Sequence, residues 1–231
     1  MPPLYSRITG VNKLSGDKHG TGDRVERVKA ALAGRSVVLV GMMGAGKSSI
    51  GRRLAQRLNL PFADADHAIE SAAGMSIPEI FAQHGEEEFR KGERRVIARL
   101  LGDGQTIIAT GGGAFQSSET RERVAAQAVS VWLKADTDVL LRRVRKRSNR
   151  PMLHTDDPEA TLKRLLLDRA PHYATATITV QSRDVPHDVI VDELLETLDL
   201  HMQGQQTDAA TEAGAQIATV RVGWKNAPIR S

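Results

Sequence analysis

Gly41-Met42-Met43-Gly44-Ala45-Gly46-Lys47-Ser48 matches the phosphate-binding loop G-x-x-x-x-G-K-[ST] at every fixed position. The flanks fit the same reading. Ser36-Val37-Val38-Leu39-Val40 is a short apolar, β-branched run that reads as a buried strand. Ser49 to Leu58 reads as an amphipathic helix, with Ile50, Leu54 and Leu58 on one face. Glycines let backbone N–H groups turn inward on a phosphate, and a helix N-terminus adds partial positive charge. In such a loop Lys47 reaches the β- and γ-phosphates and the Ser48 hydroxyl ligates Mg²⁺. A glycine-rich turn that meets the pattern by chance would lack the strand before it and the helix after it.

Composition narrows the rest. The 231 residues suit one α/β domain with modest tails. There is no cysteine, hence no disulfide framework and no thiolate site, which fits a reducing cytoplasm. The net charge of +4 sits in the tails: residues 1–35 carry +4, residues 201–231 carry +1, and the middle carries −1. That is not the footprint of a nucleic-acid-binding domain. Two Trp, two Tyr and four Phe are too few for a base-stacking platform. No apolar run reaches the length of a membrane span. Residues 1–23 read as a flexible tail, because Asp17 and Asp23 and the lack of an amphipathic face disfavour a transit peptide.

Residues 24–33 form a candidate short helix, and the core then alternates strand and helix. Strand signals fall at 36–40, 60–63, 106–109, 129–133 and 176–180. Helical patterns fall at 47–58, 66–73, 77–83, 86–101, 117–127, 137–146, 158–169 and 187–200. This alternation predicts a parallel sheet covered by helices. Residues 201–231 turn to Gln, Ala, Thr and Gly and read as a second flexible tail, leaving 24–200 as the domain.

Three further features carry chemistry. Asp64 and Asp66 follow Phe62-Ala63 at the end of the second strand, where an open parallel sheet binds its ligands. Two apart on extended backbone, they leave one face, one suited to Mg²⁺ and the other to a substrate hydroxyl. Helix capping by Asp66 explains that residue equally well. Ile107-Ile108-Ala109-Thr110 runs into Gly111-Gly112-Gly113, which makes sense where a ligand lies against the backbone. Among the arginines, Arg90 stands one turn before Glu93, close enough for an orienting ion pair. Arg150-Pro151 lies in 146–157, a charged segment without apolar period that reads as a mobile lid. Arg169 ends the next helix just before Pro171. The histidines, His187 among them, show no ligand spacing and read as ordinary surface or core residues.

Together these motifs resemble the shikimate kinase family across roughly residues 35–200. The ordered set carries the resemblance: the loop, Asp-x-Asp, Arg90-x-x-Glu93, the strand ending in triple glycine, Arg150-Pro151, and Arg169-x-Pro-x-Tyr173. The resemblance implies ATP-dependent phosphorylation of the 3-hydroxyl of shikimate, in aromatic amino-acid biosynthesis. It implies a three-layer α/β P-loop kinase of the nucleoside-monophosphate-kinase type, with a five-stranded parallel sheet in order 2-3-1-4-5. It implies Lys47, Asp66 and Arg150 as catalytic residues. Asp66, Arg90, Gly111, Gly112, Gly113 and Arg169 would bind shikimate, with Arg90 and Arg169 clamping its carboxylate. Gly44, Ala45, Gly46, Lys47, Ser48, Ser49, Arg143 and Arg150 would bind ATP, and Ser48 and Asp64 would hold Mg²⁺. Arg143 and the loop 181–187 would face adenine. The expected partners are shikimate and ATP alone, in a cytoplasmic monomer without nucleic acid or membrane. Met152 replaces the usual Leu after Arg-Pro at similar volume, and Ser48-Ser49 keeps the loop hydroxyl.

Overall fold

The computed structural model describes residues 18–145 and 157–222, with side chains for 22–145 and 157–205. The lid segment expected at 146–157, with Arg150 in it, lies outside the described residues apart from Asp157. Five strands form one sheet: β1 (Ser36–Val40), β2 (Phe62–Asp64), β3 (Ile107–Ala109), β4 (Ala128–Lys134) and β5 (Ile178–Gln181). Their order is β2-β3-β1-β4-β5 and every pairing is parallel. The β1 run of β-branched and leucine side chains is buried along its whole length, as its central place requires.

Because all strands run one way, their C-terminal ends share one edge of the sheet. The phosphate loop, Asp64, Thr110 to Gly113 and Ser182 all leave from that edge, the place where open α/β sheets bind ligands. Helix α2 (Lys47–Leu58) follows the loop and packs with α1 (Lys18–Leu32) and α8 (His187–Val222). Helix α3 (Ala65–Ala73) packs on α4 (Ile77–Gly102), which in turn meets α5 (Ser118–Gln127). A 3₁₀ turn at Ala114–Gln116 follows β3, and α6 (Thr137–Arg145) and α7 (Pro158–Tyr173) complete the chain.

The boundaries differ from the sequence expectations for local reasons. Strand β2 starts at Phe62 rather than 60, because the exit from α2 uses up residues 59–61. Asn59 adopts a left-handed conformation and Leu60 N–H bonds back to Ala55 O at 2.9 Å. The expected break between two helices is a change of course inside α4 at Gly85, with φ 79° and ψ 173°. Helix α7 does not stop at Arg169. It takes Pro171 into its last turn and closes with Ala174 N–H on Ala170 O, so only one helical bond is lost. Helix α1 begins at Lys18, not Arg24, and buries Val28 and Leu32. Helix α8 continues past the expected end at Leu200 to Val222, and Met202 is buried. The Gln- and Ala-rich stretch read as a tail is made of good helix formers.

Candidate functional site

The loop after β1 has the backbone its glycines allow. Gly41, Gly44 and Gly46 all have positive φ. At Gly41 the close approach is decisive as well, since a Cβ there would lie 2.7 Å from Leu133 O. Helix α2 starts behind Gly46 without a side-chain cap, so its first N–H groups face the loop's concavity. Lys47 Nζ lies across that concavity and donates to Gly41 O at 2.7 Å and Met42 O at 3.0 Å. The Lys47 ammonium thus stands over the cradle its N–H groups form.

Ser48 Oγ donates to Asp64 Oδ2 at 2.6 Å. Asp64, not Asp66, caps α3: its Oδ1 accepts from Asp66 N–H at 3.1 Å. Asp66 therefore stands in the first turn of a helix rather than on the strand, where the dipole favours a carboxylate. Both acids still line one cavity of about 230 Å³ together with Lys47, Ser48, Gly112 and Arg143.

On the far side of the loop, Arg143 donates Nη1 to Gly44 O at 3.3 Å and to Ser182 Oγ at 2.9 Å, and Nη2 to Arg183 O. Burial holds its pKa below the ordinary arginine value. Ser182 is buried and donates its hydroxyl to Ala45 O at 2.9 Å, which fixes the loop after β5 against the phosphate loop. His187 shows no ligand spacing in the sequence but ends the loop 181–187 expected to face adenine, and it lines the same cavity.

The triple glycine serves a purpose the sequence reading did not give it. Each glycine makes room for a side chain of the protein. A Cβ on Gly111 would lie 2.8 Å from Asp66 Oδ1 and 2.9 Å from Glu93 Oε1. On Gly112 it would lie 3.3 Å from Arg169 Nη1, and on Gly113 it would strike the Arg90 guanidinium. Two guanidiniums from different helices, α4 and α7, thus converge on Gly112 and Gly113 beside Asp66. Arg90 Nη1 donates to Glu93 Oε2 at 2.8 Å, as the i,i+3 spacing predicts, and Nη2 to Glu86 Oε1 at 3.1 Å. Glu93 is 3% exposed, and burial pushes its carboxyl pKa up against the pull of Arg90. Arg169 is also buried and donates Nη1 to Gly112 O at 3.2 Å. Its Nε has no partner among the described residues. Buried donors without partners are costly, so the guanidinium has capacity left for an anion.

Sequence reasoning placed Ser182 in the adenine-side loop 181–187 and Tyr173 in the Arg-x-Pro-x-Tyr motif, but gave neither side chain a contact of its own. Tyr173 is 1% exposed, and its hydroxyl donates to Gly112 O. The Arg169-x-Pro-x-Tyr173 run was the only signal for it, one turn beyond Arg169.

An Asp and a Ser hydroxyl 2.6 Å apart suit Mg²⁺, which binds through one or two protein oxygens plus phosphates. No group of three or more His, Cys, Asp or Glu residues gathers as a metal cluster among the described residues. No helix among the described residues is long and apolar enough to cross a membrane. A lysine-bearing anion cradle, two hard oxygen donors and a separate pair of arginines can bind a nucleotide next to a small carboxylate.

Comparison with known proteins agrees. The family model for shikimate kinase matches residues 43–199. A shikimate kinase of Bradyrhizobium diazoefficiens is 60% identical over 192 residues, 83% of this chain and 91% of that protein. One of Nitrobacter winogradskyi is 64% identical over 168 residues, 73% of this chain and 78% of that protein. A solved shikimate kinase of Acinetobacter baumannii, in complex with shikimate, superposes with a TM-score of 0.69 at 35% identity. It covers 73% of this chain and 95% of its own.

Proposed function

The chain belongs to the shikimate kinase family, and from that premise we propose how its residues carry the reaction. The activity is phosphorylation of shikimate at the expense of ATP. One observation carries the assignment of roles: two guanidiniums, Arg90 and Arg169, meet at Gly112 and Gly113, next to the phosphate loop and Asp66.

ATP lies with its phosphates on residues 44–49 and its base toward Arg143 and the loop 181–187. Ser48 and Asp64 would hold Mg²⁺, which when bound would offset the negative charge of the phosphates. Arg90 and Arg169 grip the shikimate carboxylate, for which planar forks are suited. That grip turns the 3-hydroxyl toward Asp66, at the start of α3. Asp66 accepts the hydroxyl hydrogen and aims the oxygen at the γ-phosphorus in line with the leaving oxygen. Transfer through a loose transition state needs alignment and charge stabilisation more than a strong base. Lys47 stabilises the negative charge that gathers on the transferring group. Arg150 adds a second positive charge there, a role resting on its motif position alone. The expected setting is a cytoplasmic monomer with shikimate and ATP as its partners.

A coupled ADP-release assay with shikimate, gluconate and AMP as acceptors tests this. Turnover with shikimate alone is expected. Faster turnover with gluconate or AMP would reassign the two arginines.

A further inference from the structure

Tyr173 is a fully buried polar side chain that the reaction scheme leaves unused. Its ring packs against Trp132, with centroids 5.9 Å apart. Its hydroxyl donates to Gly112 O and lies 3.6 Å from Met42 Sδ of the phosphate loop. Arg169 stands four residues earlier on α7, hence on the same face, and donates Nη1 to that same carbonyl at 3.2 Å. A carbonyl oxygen has two lone pairs. Here α7 supplies two donors to that oxygen, one neutral and one charged. The carbonyl belongs to the middle glycine, where the phosphate loop and α7 come together: a Cβ there would lie 3.3 Å from Arg169 Nη1 and 3.5 Å from Met43 N. Two bonds to one acceptor, from side chains one turn apart, tie the last turn of α7 to residue 112. Burial pushes the Tyr173 hydroxyl up to about 12, so it remains a donor throughout the neutral range.

We infer that Tyr173 is a positioning residue for shikimate: its hydroxyl anchors α7 to the Gly112 carbonyl and so holds the Arg169 guanidinium where it grips the substrate carboxylate. This rests on the reading of Arg169 as a carboxylate ligand. A tyrosine that only filled the core would do its work through its ring. The hydroxyl of a positioning tyrosine would act on substrate affinity.

Tyr173→Phe separates the two, because it keeps the ring on Trp132 and leaves Gly112 O its bond from Arg169. Shikimate and ATP affinities are measured by titration calorimetry on wild type, Tyr173→Phe, Arg169→Ala and the double variant. Circular dichroism melts confirm folding. Tyr173→Phe is expected to weaken shikimate roughly two- to tenfold, the usual worth of one hydrogen bond, and to leave ATP binding unchanged. In the Arg169→Ala background the same change should have no further effect, since the group it positions is gone. Unchanged shikimate affinity in Tyr173→Phe, or losses that simply add in the double variant, would overturn the inference. So would an equal loss of ATP affinity. If Arg169→Ala itself left shikimate binding intact, the carboxylate reading would fall first and separately.

Discussion

The Arg90 guanidinium occupies the space where a side chain on Gly113 would begin: a Cβ there would stand 2.6 Å from Arg90 Cζ. Real Cβ contacts are never that short, so the two residues are alternatives for one volume. Arg90 is held in place from its own helix by Glu86 and Glu93. The absence of a side chain at residue 113 is thus part of how the arginine is set.

Gly113→Ala should therefore damage substrate binding more than folding. Gly113 has φ −102°, so alanine fits the backbone, and the atoms it meets are the far end of a long side chain that can swing away. Displacing a binding group by about 1 Å is enough to cost up to roughly a hundredfold. We expect the KM for shikimate to rise about ten- to a hundredfold, with the melting temperature nearly unchanged. Gly51→Ala is the contrasting control. Its Cβ would lie 2.8 Å from Phe62 Cε2 and 3.0 Å from Leu39 Cδ1, inside the core. Overpacking of that kind costs about 1–3 kcal/mol and should lower the melting temperature while leaving the KM alone. The same pair of effects reversed between the variants would refute the division.

Lys47→Ala should lower kcat by about two to three orders of magnitude, typical for removing one electrostatic contact to a developing charge. The benefit is largely specific to the transition state, so kcat should fall more than ATP affinity. Steady-state kinetics with varied ATP separates the two. A variant with near-normal kcat would end the assignment of the loop lysine.

Arg90→Ala and Arg169→Ala should each weaken shikimate far more than ATP, by roughly 2–5 kcal/mol, the cost of leaving a buried charge without its partner. Arg169→Lys should recover only part of this, because an ammonium cannot make the planar fork. Titration with each ligand in turn decides the matter. An equal fall in ATP affinity would move these arginines to the nucleotide.

Much of this site is legible in the sequence because its parts are local. The phosphate loop is one contiguous run between a strand and a helix, and its glycines are forced by backbone conformation within the run. The Arg90–Glu93 pair follows from helical spacing. What escapes is set by distant contacts. The three glycines at 111–113 answer to side chains from α3, α4 and α7, which no local pattern encodes. Ser182 belongs to the loop 181–187 that the resemblance turns toward adenine, but its bond to Ala45 O and the one it accepts from Arg143 are visible only in the fold. Asp64 takes the cap expected of Asp66, because β2 ends at Asp64 and α3 begins at Ala65, two residues short of the extended run that would carry both acids on one face. Helices α1 and α8, which stand almost the whole length of the chain apart in sequence, pack against each other.

That long-range packing yields a prediction about pH. Asp199 on α8 accepts from Arg27 of α1 at 3.2 and 2.6 Å, with Arg24 Nε 3.9 Å away. The hydrogen-bonded Arg27 guanidinium holds the Asp199 carboxyl below its ordinary pKa. A carboxyl whose pKa is depressed on folding stabilises the fold above its unfolded value, about 3.9. The contribution fades as the pH falls through the depressed folded value. It should therefore be complete at pH 7, still complete near pH 6, and vanish only in strong acid. Asp199→Asn keeps the shape and removes the charge. Its melting temperature should lie below wild type by the same amount at pH 7 and pH 6, and the gap should close toward pH 3. Other acids titrate alike in both proteins and cancel in the difference. A gap that persisted unchanged at pH 3 would mean that the Asp199 side chain acts through its shape, and that charge pairing does not hold α1 to α8.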